Sequence, residues 1–125
     1  MQLNKDKRWK VKYGHFFLKF FPDMDRVQKL QEFLKQNPDD SFLQHALALE
    51  YVKMGEGGQA RQQWEQLLSR DPAYVGSYYH LAQLLVQLGE TEQAIRWYEQ
   101  GMAAARSAND LHALAELRSA YEELS

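Results

Sequence analysis

The apolar residues of this chain recur three and four apart in short runs, and small or turn-forming residues separate the runs. Ala60, Trp64, Leu67 and Leu68 share one face of a helix, as do Ala94, Ile95, Tyr98 and Met102. Upstream, Val27, Leu30, Phe33 and Leu34 form a shorter stripe that Asn37-Pro38 ends and Asp23 or Asp25 can cap. Downstream, Leu114, Leu117, Tyr121 and Leu124 form a last stripe, with Asn109 or Asp110 as its cap. Gly55 and Gly89 each follow an apolar run, where glycine stops a helix because it enters the left-handed conformation without a Cβ clash. The pattern predicts an all-α chain of about six helices joined by tight turns.

The pattern is periodic. Residues 38 to 72 laid over 72 to 106 match at ten positions at a spacing of 34, among them Pro38/Pro72, Leu47/Leu81, Ala48/Ala82, Gly55/Gly89 and Ala60/Ala94. Shared composition would give roughly two or three such matches. Each copy reads as helix, turn, helix, and its alanine at position 60 or 94 lets paired helices approach, with an aromatic one turn later filling the gap.

These residues resemble tetratricopeptide repeats, whose pattern runs Trp-x2-Leu-Gly-x2-Tyr, Ala-x3-Phe, Pro. The first copy gives Gln44-x2-Leu47-Ala48-x2-Tyr51, Ala60-x3-Trp64, Pro72; the second gives Tyr78-x2-Leu81-Ala82-x2-Leu85, Ala94-x3-Tyr98 and no final proline. The resemblance implies an α-solenoid of antiparallel helix pairs in a right-handed superhelix. It divides the chain into an N-terminal lid helix (24–37), repeat one (39–72), repeat two (73–107) and a C-terminal capping helix (109–125).

The resemblance also implies a non-enzymatic protein-binding module or adaptor that holds a partner peptide or helix in a concave groove. Aligning the Leu-Ala pairs puts Phe42, His45, Leu49, Val52 and Lys53 on that face in repeat one and Tyr79, Gln83, Val86 and Gln87 in repeat two, with His112 and Glu116 nearby. Phe42, Leu49 and Tyr79 are expected to supply affinity, and His45, Lys53 and Gln83 orientation. Co-chaperones of this family grip chaperone C-terminal carboxylates with lysines and asparagines. The corresponding positions here, His45, Leu49, Tyr79 and Gln83, supply almost none of those donors, so a carboxylate clamp is not expected.

Charge changes the picture at one end. The net charge of -2 conceals a segment, residues 1 to 23, with six basic and two acidic residues, or +4; the remainder has 9 basic and 15 acidic residues, or -6. That arm also carries Trp9, Tyr13, Phe16, Phe17, Phe20 and Phe21 and stands outside the repeat pattern. It opens an alternative reading: a structural or self-assembling module tethered through the arm to a membrane surface or nucleic acid. Both of those partners are disfavoured, since no nucleic-acid-binding motif accompanies the aromatics; a membrane span is not expected either, because Lys19 interrupts the apolar stretch well short of roughly 18 residues. The stretch also lacks the small-residue cleavage site of a secretory signal. Homodimerisation stays open, with Tyr74, Tyr78 and Trp97 as anchors that packing between helices would also explain.

Catalysis, metal and cofactor are not expected. The chain has no cysteine, which agrees with a reducing, cytoplasmic setting. Gly55-Glu56-Gly57-Gly58 lacks the lysine of a phosphate loop, Ser41, Ser69, Ser77 and Ser107 fall at predicted helix ends, and His45, His80 and His112 follow the repeat rather than any zinc-ligand spacing. The composition break before Met24 raises the hypothesis that Met24 is the physiological start. N-terminal sequencing of protein from its native cell is expected to begin there, and a mature species starting at Met1 would refute it.

Overall fold

A computed structural model describes residues 23–124, with side chains from Asp25 onward. The readings placed on the basic aromatic arm, including its membrane, nucleic-acid and Met24 variants, therefore lie outside the described residues or at their edge. Within them the chain is all-α, with six helices and no strand: α1 (Asp23–Gln36), α2 (Ser41–Lys53), α3 (Gly57–Arg70), α4 (Gly76–Gln87), α5 (Thr91–Ser107) and α6 (Leu111–Leu124). The chain divides inside α3 into two compact units, one ending at Ala60 and one beginning at Arg61.

Three turns share one construction. Gly55 (φ 76°) and Gly89 (φ 80°) sit just past α2 and α4 in the left-handed region, and Asn109 (φ 55°) does the same past α5. In each, the next residue donates its N–H five residues back: Glu56 to the Tyr51 carbonyl, Glu90 to that of Leu85, and Asp110 to that of Ala105, at 2.8, 2.8 and 2.9 Å. This satisfies helix-end carbonyls that would otherwise be orphaned and turns the chain within three residues. Asn109 is thus the stop of α5, and Asp110 the cap of α6, accepting from Ala113 N at 3.0 Å.

One of the two caps expected for α1 is excluded. Asp25 lies within the first turn of α1, so it is not that helix's cap. The α2 cap is Asp40, whose Oδ1 accepts from Leu43 N at 3.1 Å, while Ser41 is already helical. Ser77, the second residue of α4, is at a helix start as expected and is fully buried.

In the first unit α1 packs on α2, burying Val27 and Leu30 with Leu43, Leu47, Ala48 and Tyr51; Phe33 and Leu34 are half-buried. Two polar links tie the helices: Arg26 Nε donates to the buried carboxylate of Glu50 at 3.0 Å, and Gln31 Nε2 to Tyr51 Oη at 3.1 Å. Both ends of α1 stand 34 residues before those of α3, so α1 occupies the sequence positions of a second helix, with Leu30 at the place of Trp64 and Tyr98.

In the second unit α4 packs on α5, α5 on α6, and α4 also reaches α6. Trp64, Leu67 and Leu68 of α3, Tyr78, Leu81, Ala82, Leu84 and Leu85 of α4, Ala94, Tyr98 and Met102 of α5, and Leu117 of α6 are buried. Ile95 of the expected stripe is half-buried. Arg61 donates to Glu65, Glu90 and Gln93, pinning the turn before α5 to α3.

The tightest approach is at Gly101, in the middle of α5. A Cβ there would lie 2.6 Å from Tyr78 Cβ, 3.0 Å from Tyr78 Cγ and 3.2 Å from Leu117 Cδ1, so α4 and α6 both use the space that a side chain would fill. Gly101→Ala is expected to lower stability by about 1–2 kcal/mol, overpacking at about 1–3 kcal/mol exceeding the gain of about 0.5–1 kcal/mol from replacing a helical glycine. Gly58→Ala, where a Cβ meets nothing within 4 Å, is expected to be neutral or stabilising. Chemical denaturation of the two variants checks the contrast.

Candidate functional site

Within the first unit, α2 turns Leu43, Leu47 and Tyr51 inward, and helical geometry leaves Phe42, His45, Leu49 and Val52 on another face at spacings of three and four. Phe42 is 46% and Val52 37% exposed, His45 and Leu49 are half-buried, and Lys53 is exposed. Phe42 and Val52 thus leave apolar area on one helix face. Lys53 Nζ sits 3.3 Å from Glu50 Oε2, so its charge is shared with the carboxylate that Arg26 also holds.

Within the second unit, the equivalent positions on α4 are Tyr79, Gln83, Val86 and Gln87. Gln83 and Gln87 are exposed and Val86 half-buried. Tyr79 is half-buried and belongs to a run of rings: its edge meets His80 (centroids 5.9 Å, 85°) and Tyr98 (6.3 Å, 69°), and His80 stacks on Trp64 (5.9 Å, 15°).

A concavity of about 400 Å³ lies beside Tyr79, bounded by His112, Ala115, Glu116, Ser119, Ala120 and Glu123 of α6. It brings Tyr79 together with His112 and Glu116, whereas Gln83, Val86 and Gln87 do not line it. His112 Nε2 is 3.4 Å from Glu116 Oε1, the helical i, i+4 contact, and both side chains are largely exposed. Ala115, Ser119, Ala120 and Glu123 were not foreseen from sequence. Their signal was the continuation of the His112–Glu116 spacing along α6, through residues 119 and 120 to 123, as one face of small and acidic side chains.

The carboxylates of this face act on the rings. Burial of His80 lowers its pKa below the ordinary 6.5, because a charged imidazole would lose water, and the negative charge of Glu116 opposes that shift. Burial raises the Tyr98 pKa, and the Tyr79 hydroxyl and Glu123 add to the rise. Tyr78 shows the same direction through burial and the charge of Asp71, and its hydroxyl donates to the Pro72 carbonyl at 2.6 Å.

Tyr78 is buried and its ring lies against Trp97 at 6.0 Å, so it is consumed inside the subunit and is no dimer anchor. Among the described residues no three His, Asp or Glu side chains are grouped so as to hold a metal ion, and no helix is long and apolar enough to cross a membrane.

The tetratricopeptide repeat model matches residues 45–110, more than half of the chain. The chain belongs to the tetratricopeptide repeat (TPR) family. A TPR repeat-containing protein of Pseudomonas aeruginosa is 24% identical over 91 residues, covering 73% of this chain and 87% of its own. Among solved structures, a TPR domain protein from Salinibacter ruber is 39% identical over 68% of this chain and 94% of that one, with a TM-score of 0.65. The TPR2B domain of yeast Sti1, solved as a pHsp70 complex, superposes with a TM-score of 0.76 over 94% of this chain and 88% of its own; at 17% identity that likeness speaks to the fold. The TPR fold is that of a protein–protein interaction module.

The environment of His80 gives a measurable consequence. Its folded-state pKa lies below the unfolded 6.5, so its contribution to stability is present above pH 6.5 and is lost as pH falls from 6.5 through the folded value. In an NMR titration the His80 ring is expected to titrate below 6.5, and Glu116→Gln, which removes the opposing charge, is expected to lower it further. A His80 midpoint at or above 6.5 contradicts this account.

Proposed function

We propose that this TPR chain is a non-enzymatic adaptor that holds a peptide or helical segment of a partner protein on the outward faces of its first helices. The observation that carries the reading is recurrence: His45, Leu49, Val52 and Lys53 on α2 stand 34 residues before Tyr79, Gln83, Val86 and Gln87 on α4, and none of these eight side chains is fully buried. The second helices, by contrast, spend their apolar positions on the core, as Ala60, Trp64, Leu67 and Leu68 do in α3. Phe42, Leu49 and Tyr79 supply apolar contact area, and His45, Lys53 and Gln83 supply polar groups that fix orientation.

The pHsp70 complex of the Sti1 domain shows a TPR neighbour occupied by a partner, and that neighbour shares the fold of this chain. The occupant here is of another kind. At the clamp positions this chain presents a histidine, a leucine, a tyrosine and a glutamine, His45, Leu49, Tyr79 and Gln83, so a terminal carboxylate would find no cationic clamp. Absence of catalysis is part of the proposal: the serines lie within or at the ends of helices, and His112 pairs with Glu116 on an open, solvent-exposed surface.

Capture of native-cell proteins by the immobilised full chain tests the reading. Leu49→Ala with Tyr79→Ala is expected to reduce partner recovery about tenfold or more, as loss of central contact residues does. Phe42→Ser with Val52→Ser, which changes α2 alone at exposed positions, is expected to act in the same direction with thermal stability retained. Identical recovery by wild type and both variants refutes the proposal. Retained capture by these variants together with loss on deletion of residues 1–22 would assign the binding to the arm instead.

A further inference from the structure

The concavity between α4 and α6 has a charge that neither the family likeness nor the exposed apolar stripe specifies. The Tyr79 ring and the methyl groups of Ala115 and Ala120 give it apolar wall, and Glu116 and Glu123 give it two carboxylates seven residues apart on α6. Seven residues are two helical turns, about 10 Å along the axis, so the two carboxylates flank a space wide enough for one long side chain. No salt bridge to Glu123 is formed among the described residues, and the cationic candidate in the lining, His112, pairs with Glu116. A ligand carboxylate would meet two like charges here, whereas a cation would be attracted by both.

We propose that this pocket takes an arginine or lysine side chain of the partner segment, its stem along Ala115 and Ala120 and its cation against the Tyr79 ring and between the carboxylates of Glu116 and Glu123. The assignment rests on the partner-holding reading above and names the chemistry of one contact. Charge complementarity selects the occupant, and the aromatic ring adds cation–π attraction that a bare acidic surface lacks. The negative field already acts inward, since Glu116 opposes the downward shift of His80 and Glu123 adds to the upward shift of Tyr98. The selectivity runs opposite to that of a carboxylate clamp: the partner is read through a basic residue rather than an acidic terminus.

The test uses the full chain, isotope-labelled, titrated with N-acetyl-arginine amide and separately with N-acetyl-norleucine amide, which has an uncharged aliphatic side chain. Saturable shifts at Tyr79, Ala115 and Ser119 with the arginine probe, and binding about tenfold weaker for the norleucine probe, are expected. Glu116→Gln with Glu123→Gln is expected to weaken arginine binding about tenfold, and raised salt to weaken it in the wild type. Both glutamates are exposed, so the variant is expected to fold, and its thermal unfolding is the control. Equal binding of the two probes, undiminished arginine binding by the double variant, or shifts scattered away from α4 and α6 would each overturn the assignment. Failure here with capture still lost in the Phe42→Ser, Val52→Ser variant removes the cation pocket and leaves the adaptor reading standing; arginine binding with capture unaffected by every variant does the reverse.

Discussion

Three backbone reversals in which one residue adopts a left-handed conformation set the terms for the rest of this structure. Because Gly55, Gly89 and Asn109 each end a helix and return a hydrogen bond to it within two residues, the next helix starts almost at once. A connection of three residues leaves little choice of direction, so consecutive helices become packing neighbours, as α4 and α5, and α5 and α6, are in the second unit. Side-chain packing then refines an arrangement that backbone geometry has already narrowed. Glycine is suited to two of these sites by its lack of a Cβ; at the third, asparagine is one of the few other residues that tolerates the conformation.

The period of 34 made most of the fold legible before any coordinates, because turn, stop signal and apolar stripe all repeat with it. What escaped depends on partners that no local pattern names. Gly101 takes the place of Leu67 one repeat earlier, and only the approach of Tyr78 from α4 and Leu117 from α6 explains why no side chain fits. Tyr78 could be seen from sequence as either interface or core, and its hydrogen bond to the Pro72 carbonyl settles it as core. The choice of Asp40 over Ser41 as a cap turns on a single residue's backbone angle, φ -84° and ψ 105°, which propensity does not reach. The period also carries further upstream than the matched copies suggest, since α1 falls in register with α3.

The candidate site was legible in part, for the same reason. Positions on α4 follow from those on α2 by adding 34, so the exposed stripe could be drawn from alignment alone. Helix α6 is the counterpart of α4, and aligning Leu114-Ala115 with Leu81-Ala82 puts His112, Glu116, Ser119 and Ala120 at the places of Tyr79, Gln83, Val86 and Gln87, whereas Ala115 and Glu123 fall outside that stripe. They become visible once α6 lies against α5 and reaches α4, which sets its outward face next to Tyr79.

Burial decides what each ring and carboxylate of the second unit is able to do. Trp64 and Tyr98 are held in the core, so they can transmit position but cannot touch a partner. Tyr79 is half-buried and lines the concavity, and edge contacts with His80 and Tyr98 brace its ring. A ring braced in this way loses little conformational entropy on binding, the property that makes tyrosine effective at recognition surfaces. The stripe on α2 differs in kind, because Phe42 and Val52 are exposed apolar side chains rather than a braced ring. The two units therefore differ in surface chemistry, with an apolar face in one and an aromatic face bordered by carboxylates in the other.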